Sequence, residues 1–158
     1  MNDTFGVSVD IDSNGNRIVV GCIGTDISAV TGVGSAYVFS RSGTTWTQEF
    51  KLIASDRMSS DGLGAAGAIN SSGNIVTVTA PNADANPIFD CGATYIYTRS
   101  STTWSQNNKL LASNKAGSDF MGTTNGVALS RYSSRMIVAA RTADPSGLSA
   151  AGAVYIYA

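Results

Sequence analysis

Apolar residues in this chain come in short bursts that alternate with polar ones or are β-branched, and turn-forming residues bound each burst. The first stretch reads Val7-Ser8-Val9-Asp10-Ile11, then Arg17-Ile18-Val19-Val20, then Ala36-Tyr37-Val38-Phe39, then Trp46 through Leu52. Between them lie Asp12-Ser13-Asn14-Gly15, a Gly-rich stretch reaching Gly34, and Arg41-Ser42-Gly43. Period-two alternation with Asn, Gly and Ser at the breaks predicts strands, and hairpin-length breaks predict that neighbouring strands are antiparallel.

The same pattern is then written again. Trp46 returns as Trp104, 58 residues on, and Gly6 returns as Gly64 and Gly122 at the same spacing. Tyr37-Val38-Phe39 becomes Tyr95-Ile96-Tyr97 and, after a two-residue slip, Tyr155-Ile156-Tyr157. The copies span residues 3–60, 61–118 and 119–158. The second predicts strands at Ala65–Ile69, Ile75–Thr79, Thr94–Tyr97 and Trp104–Leu111; the third at Asn125–Leu129, Arg135–Ala139 and Ala153–Tyr157. A repeat of this length is one supersecondary unit that buries its apolar face only by stacking on its neighbours. Four short antiparallel strands per unit predict an all-β fold: a β-propeller segment of three four-stranded antiparallel blades, the last lacking its outer strand. A β-solenoid would need shorter coils and fewer hairpin turns. Propellers close with about 4–8 blades, so three leave apolar faces open. The expectation is completion by oligomerisation, with a six-bladed dimer preferred, or membership of a longer propeller.

Composition supports strands over helices: 43% of residues are hydrophobic and 13% charged, with one Glu and no His. A net charge of −1 with scattered basic residues gives no footprint for nucleic acid. No apolar run approaches the ~20 residues that span a bilayer, so no membrane insertion is expected. Met1 to Gly6 shows neither a basic nor an apolar signal-peptide region, which fits an excised or mature segment, or export by a route that leaves no such mark. Cys22 and Cys91 are too few for a disulfide scaffold; free buried thiols are the simpler reading, with a cross-blade bond the alternative.

These copies resemble FG-GAP repeats, the blades of the integrin α-subunit propeller and of many bacterial and viral surface proteins. Phe5-Gly6 followed by Val7-Ser8-Val9 is similar to the FG motif, and Val19-Val20-Gly21-Cys22, Val78-Thr79-Ala80-Pro81 and Val138-Ala139-Ala140 stand where the GAP motif falls. Gly34-Ser35-Ala36-Tyr37, Gly92-Ala93-Thr94-Tyr95 and Gly152-Ala153-Val154-Tyr155 are similar to the family's glycine-led third strand. Leu63-Gly64 and Met121-Gly122 depart from it by replacing Phe. The resemblance implies an extracellular or virion-surface adhesion module. Its ligands would be protein or glycan, contacted by the loops Ile23–Val33, Pro81–Cys91 and Arg141–Ala151. Those loops vary between copies while the strands do not, as expected where function rides on loops over a fixed scaffold.

Candidate chemistry is sparse. Asp10-x-Asp12-x-Asn14-Gly15 has oxygen ligands at a spacing that suits calcium, on a turn where the family often carries a calcium loop; with two carboxylates and Arg17 beyond them, an ordinary Asx-type turn is the preferred reading. Asp26, Asp84 and Asp144 recur in the second-to-third-strand loops, with Asp90 near the end of the second, and could present carboxylates to a cation or basic partner. Recurrence in every copy favours carboxylates that accept loop N–H groups, and the same holds for Asp3, Asp61 and Asp119. Trp46 and Trp104 read as packing between blades rather than as sugar platforms, and Asn70-Ser71-Ser72 is a glycosylation sequon on an exposed turn. With no His, one Glu and no nucleophile elbow or phosphate loop, the chain is read as not an enzyme. A structural assembly component, a lectin, and a hydrolase sharing the scaffold are the alternatives.

Overall fold

β-Branched and aromatic residues at alternate positions set the strands, and Asp, Asn and Gly turns end them. The computed structural model describes residues 3–145 and 148–158. The first sheet runs in order β1 (Phe5–Ile11), β2 (Arg17–Cys22), β3 (Ser35–Ser42) and β4 (Thr45–Leu52). The second repeats this with β5 (Gly67–Ile69), β6 (Ile75–Ala80), β7 (Ala93–Ser100) and β8 (Thr103–Leu110), and the third has β9 (Val127–Leu129), β10 (Met136–Ala140) and β11 (Ala153–Tyr157). Every pairing is antiparallel between consecutive strands. These are three propeller blades of four, four and three strands, and no described segment forms a helix able to cross a membrane.

The first blade packs an aliphatic face on an aromatic face of the second. Tyr95, Tyr97 and Trp104 of the second blade are buried in one cluster with Val19, Val38 and Leu52 of the first. In the third blade Val138, Tyr155 and Tyr157 pack with Leu110 and Ala112, which the second blade's last strand and the link after it supply. Trp46 departs from the expected burial. It is 39% exposed, against 3% for Trp104, because it lies on the first blade's aromatic face, which no described blade covers.

A wedge and a socket lock each junction. Leu63 and Gly64 insert beside Gly34, with the Gly62 and Leu63 N–H groups donating to Gly32 and Val33 at 3.2 and 3.0 Å. Phe120 and Met121 repeat this against Asp90 and Cys91, both at 3.1 Å. Leu63 and Met121 are fully buried, which contributes roughly 1.5–3 kcal/mol each. The wedge also explains why β5 and β9 start later than their patterns predict. Gly64 at φ 105 and Gly122 at φ 84 break the ladder before the regular strand begins.

A carboxylate on β4 crosses the first junction. The β3–β4 register shifts between Val38 and Phe39, leaving Glu49 as the bulged residue. Its carboxylate accepts from Arg17 Nε of its own blade at 2.8 Å and from Arg99 Nε of the second blade.

Candidate functional site

The three loops that follow β2, β6 and β10 leave the same end of the blades, and one device shapes all of them. Asp26 Oδ1 accepts the Gly32 N–H at 2.8 Å, Asp84 Oδ1 accepts that of Asp90 at 2.9 Å, and Asp144 Oδ1 accepts that of Ala150. In the first two loops a tight turn inside this span is closed by paired backbone bonds, Ile27 with Val30 and Ala85 with Ile88. Asp90 is half-buried and adopts φ 54, its N–H taken by Asp84 and its carbonyl accepting from Phe120. Ser146 and Gly147 of the expected third loop lie outside the described residues, as do Met1 and Asn2.

Between these loops lies a cleft of about 400 Å³. All three blades contribute to it: Ile23, then Pro81 and Asn82, then Arg141, at equivalent positions just past the second strands. Ser60 and Thr124 add polar groups, and Asn82 Nδ2 donates to the Ser60 carbonyl at 2.9 Å. Arg141 is exposed, and its guanidinium makes no hydrogen bond or ion pair among the described residues.

At the opposite end stand the three residues with calcium-like spacing. Asp12 is buried, and its Oδ1 accepts the Asn16 and Arg17 N–H groups at 2.7 and 3.2 Å. Asp10 Oδ1 accepts the Ile11 N–H, while its Oδ2 reaches the second blade to accept that of Ile69, both at 2.9 Å. Asn14 is exposed. Among the described residues no three His, Cys, Asp or Glu side chains gather where they could hold a metal ion.

The same turn recurs with other acceptors. Asn70 Oδ1 accepts the Asn74 and Ile75 N–H groups at 3.0 Å, and Ser130 Oγ accepts that of Arg135 at 3.0 Å. Asn70 is therefore buried and committed to its turn, not displayed as the sequon pattern suggests. Replacing Asp12 by Ala strands two N–H donors at a partly buried turn. It is expected to lower stability by about 1–2 kcal/mol, and Asp12→Asn by less, read from urea midpoints.

Asp61 and Asp119 are buried, and each Oδ2 accepts the N–H three residues earlier, from Met58 and Ala116, at 2.6 Å. Burial pushes the Asp61 carboxyl above its ordinary value of 3.8, against the opposing Met58 N–H. The folded chain thus holds this proton more tightly than the unfolded chain. Its contribution is present below 3.8 and is lost as pH rises through the higher folded value. Asp61→Asn keeps an acceptor for Met58 and should remove that decline, visible as a flatter plot of urea midpoint against pH.

Cys22 and Cys91 are free and buried, and burial raises the Cys91 thiol. Glu49 escaped the sequence reading, although it is the chain's sole glutamate and lies in a strand that otherwise presents Thr, Gln and Lys.

Three antiparallel sheets joined by wedge-and-socket junctions, with loops gathered at one end, define a propeller-blade repeat. The FG-GAP repeat model matches residues 1–39 and 104–157, more than half of the chain, and the chain belongs to that family. FG-GAP repeats are generally non-enzymatic propeller modules. No curated protein matches the chain.

Proposed function

We propose that this chain is a non-enzymatic binding module of a cell-surface or virion-surface protein, and that its ligand, a protein or glycan, is held by the loops following the second strands. The observation that carries this reading is the cleft to which all three blades contribute, with Arg141 at its rim. A cation with no hydrogen-bond or ion-pair partner among the described residues, beside the amide of Asn82 and the hydroxyls of Ser60 and Thr124, suits a ligand that presents a carboxylate among hydroxyl or amide groups. Loop position supports it too, since binding residues concentrate on loops held by a rigid scaffold.

Binding of the labelled protein to arrayed acidic glycans and to cell surfaces tests the reading. Arg141→Glu should weaken the strongest signal at least tenfold while the melting temperature stays put. Equal binding by the variant would remove the cleft from consideration. Melting with added calcium and then with chelator tests Asp10, Asp12 and Asn14 separately. A shift would assign them an ion, and no shift would leave them as turn and junction residues.

A further inference from the structure

We infer that the turns between the first and second strands of the blades form a second binding site, at the end opposite the Arg141 cleft, and that it takes a sugar residue carrying one carboxylate. These turns enclose a shallow cleft of about 490 Å³, within the ~300–1,000 Å³ of small-ligand sites. An aromatic ring, a cation and a set of amides and hydroxyls line it. Tyr132 and Arg131 come from the third blade, Asn70, Ser72 and Asn74 from the second, and Asn14 from the first. The site stands apart from the Arg141 cleft and does not depend on the reading of that cleft.

The floor is held in place by its own hydrogen bonds. Asn70 Oδ1 accepts the Asn74 and Ile75 N–H groups, and its Nδ2 donates to Ser72 Oγ at 3.0 Å and to Asn74 Oδ1 at 2.8 Å. Ser72 Oγ donates to the same Asn74 oxygen at 2.7 Å. Neighbouring turns are stitched together as well. Ser13 Oγ donates to the Ser71 carbonyl at 2.9 Å, and the Ser71 N–H donates to the Arg131 carbonyl at 3.2 Å. Asn74 Oδ1 is thus fixed by two bonds, while its Nδ2 makes no hydrogen bond among the described residues. A donor on an amide already ordered in this way meets a ligand hydroxyl at little further entropic cost.

Tyr132 is 81% exposed. That exposure belongs to the turn position itself: Asn14 and Ser72 hold the same place in the first two blades, and both are exposed although another blade follows each. The Arg131 guanidinium lies 5.7 Å from the centroid of the Tyr132 ring and makes no hydrogen bond or ion pair among the described residues. No carboxylate lines the cleft. The C–H face of a pyranose packs on an aromatic ring while its hydroxyls pair with amides around the edge. A carboxylate on the same sugar meets the guanidinium through two parallel N–H bonds. Nucleic acid or a densely sulfated chain would bring many charges to this single cation, and a net charge of −1 favours neither.

Titration of the full chain with single sugars, followed by calorimetry and by amide NMR shifts, is the test. Two probes separate the sources of a sugar carboxylate: sialyllactose, and a disaccharide ending in glucuronic acid. One of them should shift the amides of residues 13–16, 70–74 and 131–134, and uncharged lactose should bind at least tenfold more weakly. Tyr132→Ala and Arg131→Gln should each weaken that binding at least tenfold with the melting temperature unchanged, both side chains being exposed. Arg141→Glu should leave these shifts in place, so that failure at either cleft is read separately. Neither probe shifting those amides at millimolar concentration would overturn the inference. So would binding that survives both substitutions, lactose bound as tightly as the acidic sugar, or adenosine monophosphate bound more tightly than either probe.

Discussion

Trp104→Ala is expected to lower the stability of the chain by about 3–5 kcal/mol, the range for truncating a fully buried indole. The ring is 3% exposed and sits in the cluster formed by the first blade's Val19, Val38 and Leu52 with Tyr95 and Tyr97. Removing it leaves a cavity between two sheets whose positions the wedge at Leu63 already fixes, so little collapse can fill the space. A loss of this size is a large share of the 5–15 kcal/mol that holds a typical domain together. The same change at Trp46, which occupies the equivalent strand position, should cost well under half as much in the isolated chain, because that ring is 39% exposed. Urea unfolding of the two variants, compared at one low protein concentration, checks the contrast. Equal losses would mean that sequence position, not the covering blade, sets the contribution of each tryptophan.

Gly34→Ala should be at least as damaging. At φ 78 a side chain already costs about 1–2 kcal/mol in backbone strain. The added Cβ would also overlap the backbone N and O of Leu63, so the wedge must withdraw and its two inter-blade hydrogen bonds go with it. A loss above about 3 kcal/mol, or failure to accumulate as folded protein, is the expected result. Gly43→Ala is the control: φ is 61 but nothing lies within 4 Å of the new atom, so only the strain remains. If both variants lose the same stability by urea midpoint, close approach of the wedge is not what requires glycine at position 34.

The repeat made most of the fold readable. Recurring Tyr-x-Tyr and Tyr-x-Phe runs placed the third strands, and the recurring Trp placed the outer ones, because period-two burial is a local property that survives without tertiary knowledge. The recurring Asp26, Asp84 and Asp144 were legible as loop-shaping residues for the same reason, since an acceptor for an N–H six residues on is needed in every copy. The split between Trp46 and Trp104 was not legible, because it depends on which side of a blade has a neighbour. Glu49 was missed because a bulge is a register slip between two strands, and neither strand's own pattern records it. Burial of Asn70 was missed too, as its sequon reads the same whether the amide faces water or caps a turn. For the cleft, only the loops were named in advance. Arg141 gains its place there from the equivalence of Ile23, Pro81 and Arg141, three residues with no chemistry in common.

The carboxylate that the β4 bulge turns toward Arg99 makes the two internal junctions unlike. All three ion pairs among the described residues, Glu49 with Arg17, Glu49 with Arg99 and Asp56 with Lys109, lie at the first junction or on the link that crosses it. The second junction has none, Asn107 standing where Glu49 stands in the first blade. Ionic strength, which screens partly exposed charges over about 8 Å at physiological salt, therefore bears on one seam of the molecule and not the other. Added salt therefore acts on the attachment of the first blade to the second and leaves that of the second to the third as it is.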